Sequence, residues 1–207
     1  MNYIKRMAFI GAIVTGMVFS GTACAINYEP GTVFDYATKT WVKPRPGAGQ
    51  FRSDKSPIAR KKIKFDESIA AGTIVIDTSD RRLYHVLESG KAMAYGIGVG
   101  RDGFQWSGNK SITRKAEWPG WTPPAVMRAR VLRESGRVLP AYQPGGPDNP
   151  LGARAMYLGG SIYRIHGTNQ PWTIGQAMSS GCFRMANEDV TYLYDQVEVG
   201  TKVIIRE

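Results

Sequence analysis

The sequence predicts a mainly β domain with a little helix, and three observations lead there. Short runs rich in β-branched and aromatic residues recur from residue 65 onward. Clusters of Gly, Ser, Asp and Asn separate them, and only two windows carry helical signals. A hydrophobic fraction of 43% with 11% aromatic residues suffices for a packed core in 207 residues and excludes a disordered chain.

The elements follow in chain order. Lys5 and Arg6 precede an apolar run from Met7 to Phe19, and Ala23-Cys24-Ala25 supplies small residues at a signal-peptidase spacing. Residues 1–25 are therefore expected to be a cleavable export signal, leaving a chain that starts at Ile26 in the periplasm or cell envelope. The run of about 13 apolar residues is shorter than the ~20 a spanning helix needs, so no transmembrane segment is expected after processing. A lipoprotein signal through Cys24 is the alternative, although Gly21 stands where such signals usually carry Leu.

Residues 26–64 shift to Pro, Gly and basic side chains and read as an N-terminal arm ending in the cluster Arg60-Lys61-Lys62, with Lys64 close by. Residues 65–207 form the expected main domain. Thr73–Asp77, Leu83–Leu87 and Met93–Val99 are three strands joined by the turns Thr78-Ser79-Asp80 and Glu88-Ser89-Gly90-Lys91, an antiparallel meander. Phe104–Pro150 reads as loop, because the prolines from Pro119 onward exclude a long helix or a central strand. A short helix from Ala125 to Glu134, stopped by Gly136, fits inside it. The tryptophans of this stretch suit either a loop core or the wall of a substrate groove.

Ala155–Leu158 and Ser161–His166 are paired strands around Gly159-Gly160. Alternation puts Ile162, Arg164 and His166 on one face of the second; an extended 180–184 puts Ser180, Cys182 and Arg184 on one face and Phe183 on the other. Asn187 is placed to cap a helix through Val190, Leu193, Tyr194 and Val197, with Gly200 ending it and Lys202–Arg206 as a last strand.

Charge and cysteine usage narrow the chemistry. The formal net charge is +10, and loss of residues 1–25 removes Lys5 and Arg6 and no acidic residue, leaving 25 Lys and Arg against 17 Asp and Glu. Such a surface attracts anions such as nucleic acid, acidic lipid or an anionic wall polymer, without choosing among them. The processed chain keeps one cysteine, Cys182, which excludes an internal disulfide. A buried Cys can be merely a small hydrophobe, but Ser179-Ser180-Gly181 before Cys182 is a poor context for a core position. Two adjacent strands would bring His166 to Cys182, and a thiol beside an imidazole suits covalent catalysis. His85 lies mid-strand and reads as structural. A zinc site from His85, His166 and Cys182 lacks the close ligand pair such sites use, so neither metal nor cofactor is expected.

At His166-Gly167-Thr168 and Ser179-Ser180-Gly181-Cys182-Phe183-Arg184, with 16 positions from His to Cys, the chain resembles the L,D-transpeptidase catalytic domain family of bacterial cell-wall enzymes, often called YkuD-type. Ile97-Gly98-Val99-Gly100-Arg101 is also similar to that family. Ser180 departs from it, where the family usually has His. The resemblance covers about residues 70–207 and implies a β-sandwich-like catalytic domain with short helices and long loops.

It also implies that Cys182 attacks the diaminopimelyl–D-alanine carbonyl of a stem tetrapeptide, that His166 is its base and then its acid, and that acylation by carbapenems is typical. The backbone N–H groups of Gly181 and Cys182 are candidates for an oxyanion hole, and the Gly167 carbonyl is taken as the group that orients His166. Arg184, Ser180, Ser179 and Thr168 form the substrate-binding set, with a structural ion pair as the other role open to Arg184. The expected partners are peptidoglycan stem peptides, with another stem peptide, an envelope protein terminus or a free D-amino acid as acyl acceptor, and no nucleic acid. A thiol hydrolase of wall peptides and a non-catalytic wall-binding module are the alternative functions.

Overall fold

A computed structural model describes residues 55–207 and, in backbone only, the antiparallel pair β1 (Val33–Asp35) and β2 (Thr40–Val42). The expected export signal, Cys24 and most of the N-terminal arm lie outside the described residues.

The meander is present. β4 (Ile74–Asp77), β5 (Arg82–Leu87) and β6 (Lys91–Gly96) pair antiparallel in order, and β3 (Lys61–Lys64) adds to the outer side of β6. The basic cluster at the end of the arm is thus an edge strand. Exposed lysines there oppose pairing with another chain's edge. The strand expected over Met93–Val99 is broken. After Gly96 the N–H of Ile97 turns to the Arg81 carbonyl, Gly98 exchanges bonds with Arg184, and a separate β7 (Val99–Gly100) follows.

The expectation that Phe104–Pro150 holds no central strand is overturned by β8 (Gly108–Glu117), ten residues long. The prolines that excluded a strand begin only at Pro119. Gly-Asn-Lys-Ser-Ile-Thr-Arg-Lys-Ala-Glu has little apolar alternation, and Ile112 is its one buried side chain. Lys115 of this strand closes the end of the second helix. Its Nζ donates to the carbonyls of Tyr194 and Val197 at 2.8 and 2.7 Å, at the helix C-terminus, where a cation complements the helix dipole.

β8 is also where the sheet folds over. Its first half pairs with β13 (Lys202–Arg206), whose other side runs parallel to β4. Its second half, after a register shift between Ile112 and Arg114, pairs with β9 (Arg154–Leu158). β9 continues antiparallel to β10 (Arg164–His166), and β10 parallel to β12 (Phe183–Arg184). The resulting nine-stranded order is β12-β10-β9-β8-β13-β4-β5-β6-β3, with β11 (Ala177–Ser179) pairing parallel with β7 beside it. One core joins both halves: Ile74, Ile76, Leu83, Tyr95 and Ile97 from the first meet Met156, Leu158, Ile165 and Phe183 from the second. The fold is mainly β and sandwich-like, as expected.

The helices are α1 (Ala125–Ser135), stopped by Gly136 at φ 65°, and α2 (Asn187–Gln196). No residue of α1 is buried. Two expectations at α2 need correction. Ala186, not Asn187, occupies the N-cap, because the Asn187 side chain is engaged elsewhere, and the helix stops at Val197 rather than Gly200. β10 is likewise shorter than Ser161–His166, since the Ser161 hydroxyl bonds the Leu158 carbonyl and the Tyr163 N–H and so lengthens the turn.

Candidate active site

The site is built on the parallel pair β10 and β12. Ile165 stands opposite Phe183 and His166 opposite Arg184, and both Ile165 and Phe183 point into the core with 0 and 1% exposure. Alternation then turns Arg164, His166, Cys182 and Arg184 to the other face as a two-by-two tile. Cys182 lies level with Arg164 and diagonal to His166. The chain from Ser180 to Cys182 is a bend rather than the extended segment expected, yet Phe183 takes the inward direction expected of it.

His166 is held firmly. It is 5% exposed, its main-chain carbonyl accepts from Met185 N–H at 2.8 Å, and its Nδ1–H donates to the Gly167 carbonyl at 2.6 Å. A carbonyl accepts only, so this bond fixes the tautomer with Nε2 unprotonated, the form a base needs. Complete burial pushes the imidazole pKa down to about 3, aided by the charges of Arg184 and Arg164 and opposed by the carbonyls of Gly167 and Leu151. Burial pushes the Cys182 thiol up, against the charge of Arg164, hydrogen bonds from its backbone and side chain, and the charge of Arg184. Both groups therefore rest neutral at pH 7, as thiol and imidazole.

The loop from Gly167 to Gly181 is shaped by its own polar groups. Thr168 is buried, its hydroxyl accepting from Gln170 N–H at 3.0 Å. Ser179 is buried too: its Oγ donates to the Cys182 carbonyl at 2.6 Å and accepts from Gly181 N–H at 3.2 Å. Two of the residues expected to contact substrate thus form the loop itself. The Gly181 N–H, expected in an oxyanion hole, is already engaged by Ser179, because Gly181 at φ 99° turns it inward. Cys182 N–H remains of the expected pair. Gly181 is also fixed by space, since a Cβ there would collide with the Tyr163 ring.

The surroundings hold contacts that local sequence reading missed. Asn187 Oδ1 accepts from Ala153 N–H at 2.9 Å and Thr168 N–H at 3.2 Å, tying α2 to the His-Gly-Thr turn. Trp106 donates from Nε1 to the Gly181 carbonyl at 2.9 Å and stacks on Tyr163 at 4.6 Å, so this tryptophan is loop core. Trp118 and Trp172 are exposed. Arg130 of α1 donates to Ser180 Oγ at 2.8 Å, and Arg130 and Arg101 lie over the Phe104 ring at 4.9 and 5.1 Å. Ser180, where a His was the commoner residue, is the point at which α1 meets the cysteine loop. His85 sits in β5, buried, with a pKa lowered by burial; among the described residues no group of His, Cys, Asp or Glu could hold a metal ion.

The Asn187 clamp carries a stability prediction. Asn187→Ala leaves two N–H groups of the turn without their acceptor, at about 1–3 kcal/mol for each buried donor. Urea unfolding should show a loss of about 2–6 kcal/mol. Asn187→Asp, which keeps an acceptor at a helix N-terminus, should recover most of it.

The YkuD family description, L,D-transpeptidase catalytic domain, matches residues 71–205. The chain is 34% identical over 204 residues to the probable L,D-transpeptidase ErfK/SrfK of Escherichia coli (strain K12), covering 94% of this chain and 65% of that protein. It is 42% identical over 135 residues to the probable L,D-transpeptidase YbiS of the same strain, covering 63% and 43%. An L,D-transpeptidase from Mycobacterium smegmatis shares the fold, with a TM-score of 0.50 at 15% identity over 65% of this chain and 58% of that one. The chain thus spans 65% or less of the length of these curated relatives.

Proposed function

The chain belongs to the L,D-transpeptidase catalytic domain family, and from that premise we propose that it is a peptidoglycan L,D-transpeptidase with Cys182 as nucleophile and His166 as general base. The observation that carries this reading is the β10–β12 register, which sets the His-Gly-Thr and Ser-Ser-Gly-Cys segments side by side with Nδ1 of His166 bonded to Gly167.

His166 Nε2 takes the Cys182 proton as sulfur adds to the carbonyl carbon of the diaminopimelyl–D-alanine bond. Cys182 N–H faces the developing oxyanion. Collapse breaks the C–N bond, the imidazolium gives its proton to the amine of D-alanine, and a thioester remains. An incoming amine then repeats the sequence in reverse, its proton passing to His166. Arg184, beside His166, binds a carboxylate of the stem peptide through its planar fork. Arg101 and Arg130 near the cysteine loop share the Glu134 carboxylate at 3.8 and 4.0 Å, and the positive charge left over suits an anionic substrate.

Incubating the protein with a purified disaccharide tetrapeptide and following products by mass spectrometry tests the reading. Free D-alanine together with a joined product, either a 3-3 cross-linked dimer or an adduct with an added D-amino acid, is expected. D-Alanine with tripeptide alone would identify a hydrolase, and polymer binding without turnover a wall-binding module.

The acceptor in the cell is a second stem peptide or an envelope protein terminus. Export through residues 1–25 belongs to the same proposal, and among the described residues no helix is long and apolar enough to cross a membrane. N-terminal sequencing of the protein from envelope fractions should give Ile26 first; an intact Met1 on cytoplasmic protein would end the export reading.

A further inference from the structure

The row Tyr157–Arg164–Cys182 runs across β9, β10 and the entry to β12 and is not used by the mechanism above. β9 and β10 pair Arg164 with Tyr157, and the guanidinium lies 5.3 Å from that ring's centroid. On its other side the β10–β12 register sets Arg164 level with Cys182, on the same face. The charge and the polar groups of Arg164 act on the thiol in the direction that favours its ionised form. Its Nε is buried without a hydrogen-bond partner, and among the described residues no carboxylate forms an ion pair with it. A guanidinium is always charged, so a positive charge is fixed against the sulfur with nothing anionic to neutralise it.

The chemistry gives that charge a purpose. A thiolate in a buried site needs a cation, and in many cysteine enzymes an imidazolium provides it. Here burial and two neighbouring arginines both disfavour the imidazolium of His166. Around Cys182 stand Arg164 and His166 on β10 and Arg184 on β12; from α1, Arg130 reaches the adjacent Ser180 and shares the Glu134 carboxylate with Arg101.

Taking Cys182 as the nucleophile, as above, we propose that Arg164 is a further catalytic residue whose guanidinium is the counter-ion of the Cys182 thiolate. The S–H proton passes to His166 Nε2, the electron pair left on sulfur is held by Arg164, and the ion pair ends when that pair forms the C–S bond and the carbonyl π electrons move to oxygen. Arg164 neither gains nor loses a proton.

The test measures the rate at which iodoacetamide alkylates Cys182 between about pH 6 and 12, with peptide mass spectrometry separating it from Cys24. Neutral replacements Arg164→Gln and Arg164→Met should raise the midpoint by about one pH unit or more, a tenfold loss of thiolate below it, while keeping the high-pH plateau. Arg164→Lys should restore part of the shift. A distorted site would instead lower the plateau at every pH and overturn the proposal, as would parent midpoints in both neutral variants. A folded parent whose Cys182 resists alkylation at every pH would remove the nucleophile itself, and with it both readings.

Discussion

Cys182→Ser is expected to abolish transfer to an amine acceptor and acylation by a carbapenem alike, with a loss of about 10³-fold or more. A serine hydroxyl is far harder to ionise than a thiol, and His166, buried with a pKa of about 3, is too weak a base to compensate. Substrate binding should persist, because Arg184, the proposed carboxylate contact, is untouched. Intact-protein mass spectrometry after carbapenem incubation gives the answer, and an adduct forming on the serine variant as fast as on the parent would assign the nucleophile elsewhere.

His166→Ala should be the second largest effect, a fall of about 10²–10⁴-fold in kcat/KM, the usual range for a positioned proton-transfer group. The sign of its pH dependence is specific. In the parent the depressed imidazole pKa leaves the base neutral from about pH 5 upward, so no acidic limb from His166 falls in the range of about 5–8. The variant has only spontaneous thiolate to work with. Because burial raises the thiol, that fraction grows tenfold per pH unit up to its pKa, so log(kcat/KM) should climb with a slope near one where the parent is flat. A variant profile as flat as the parent's would show that His166 is not the group receiving the proton.

The parts of the fold that could be read from the chain are those whose signal is local. Lys202–Arg206 alternates cleanly, and α1 stops at Gly136 because only a left-handed residue fits there. β8 was hidden because its residues are chosen for contacts with two other strands and the end of α2, which leaves little alternation to see. Asn187 was misread for a related reason: an Asn before a helical pattern signals a cap, and nothing nearby in sequence reveals that its oxygen faces residues 153 and 168. In the site, motif spacing pointed to His166 and Cys182. The place of Arg164 beside the thiol depends on the parallel register of β10 and β12, which the intervening loop leaves open until the fold sets it. The sequence offers Gly181 as an oxyanion donor and Ser179 as a substrate contact; their bond to each other follows from a backbone angle that composition does not specify.

The position of β13 has a consequence for how the molecule assembles. It is the only link in the strand order between β8, which leads to the site, and β4, which leads to the meander, and it is also the last strand of the described chain. Before residues 202–206 arrive, Gly98–Arg184 and the β7–β11 pair already bridge the two units, but the seam between β4 and β8 is open and each of these strands shows an unpaired edge. Closing that seam requires a parallel pairing of residues 74–77 with 203–206, the kind of distant contact that slows folding. Refolding should therefore end in a late, slow phase governed by β13. Chains cut just before Lys202 would keep both unsealed edges and gather into aggregates through them.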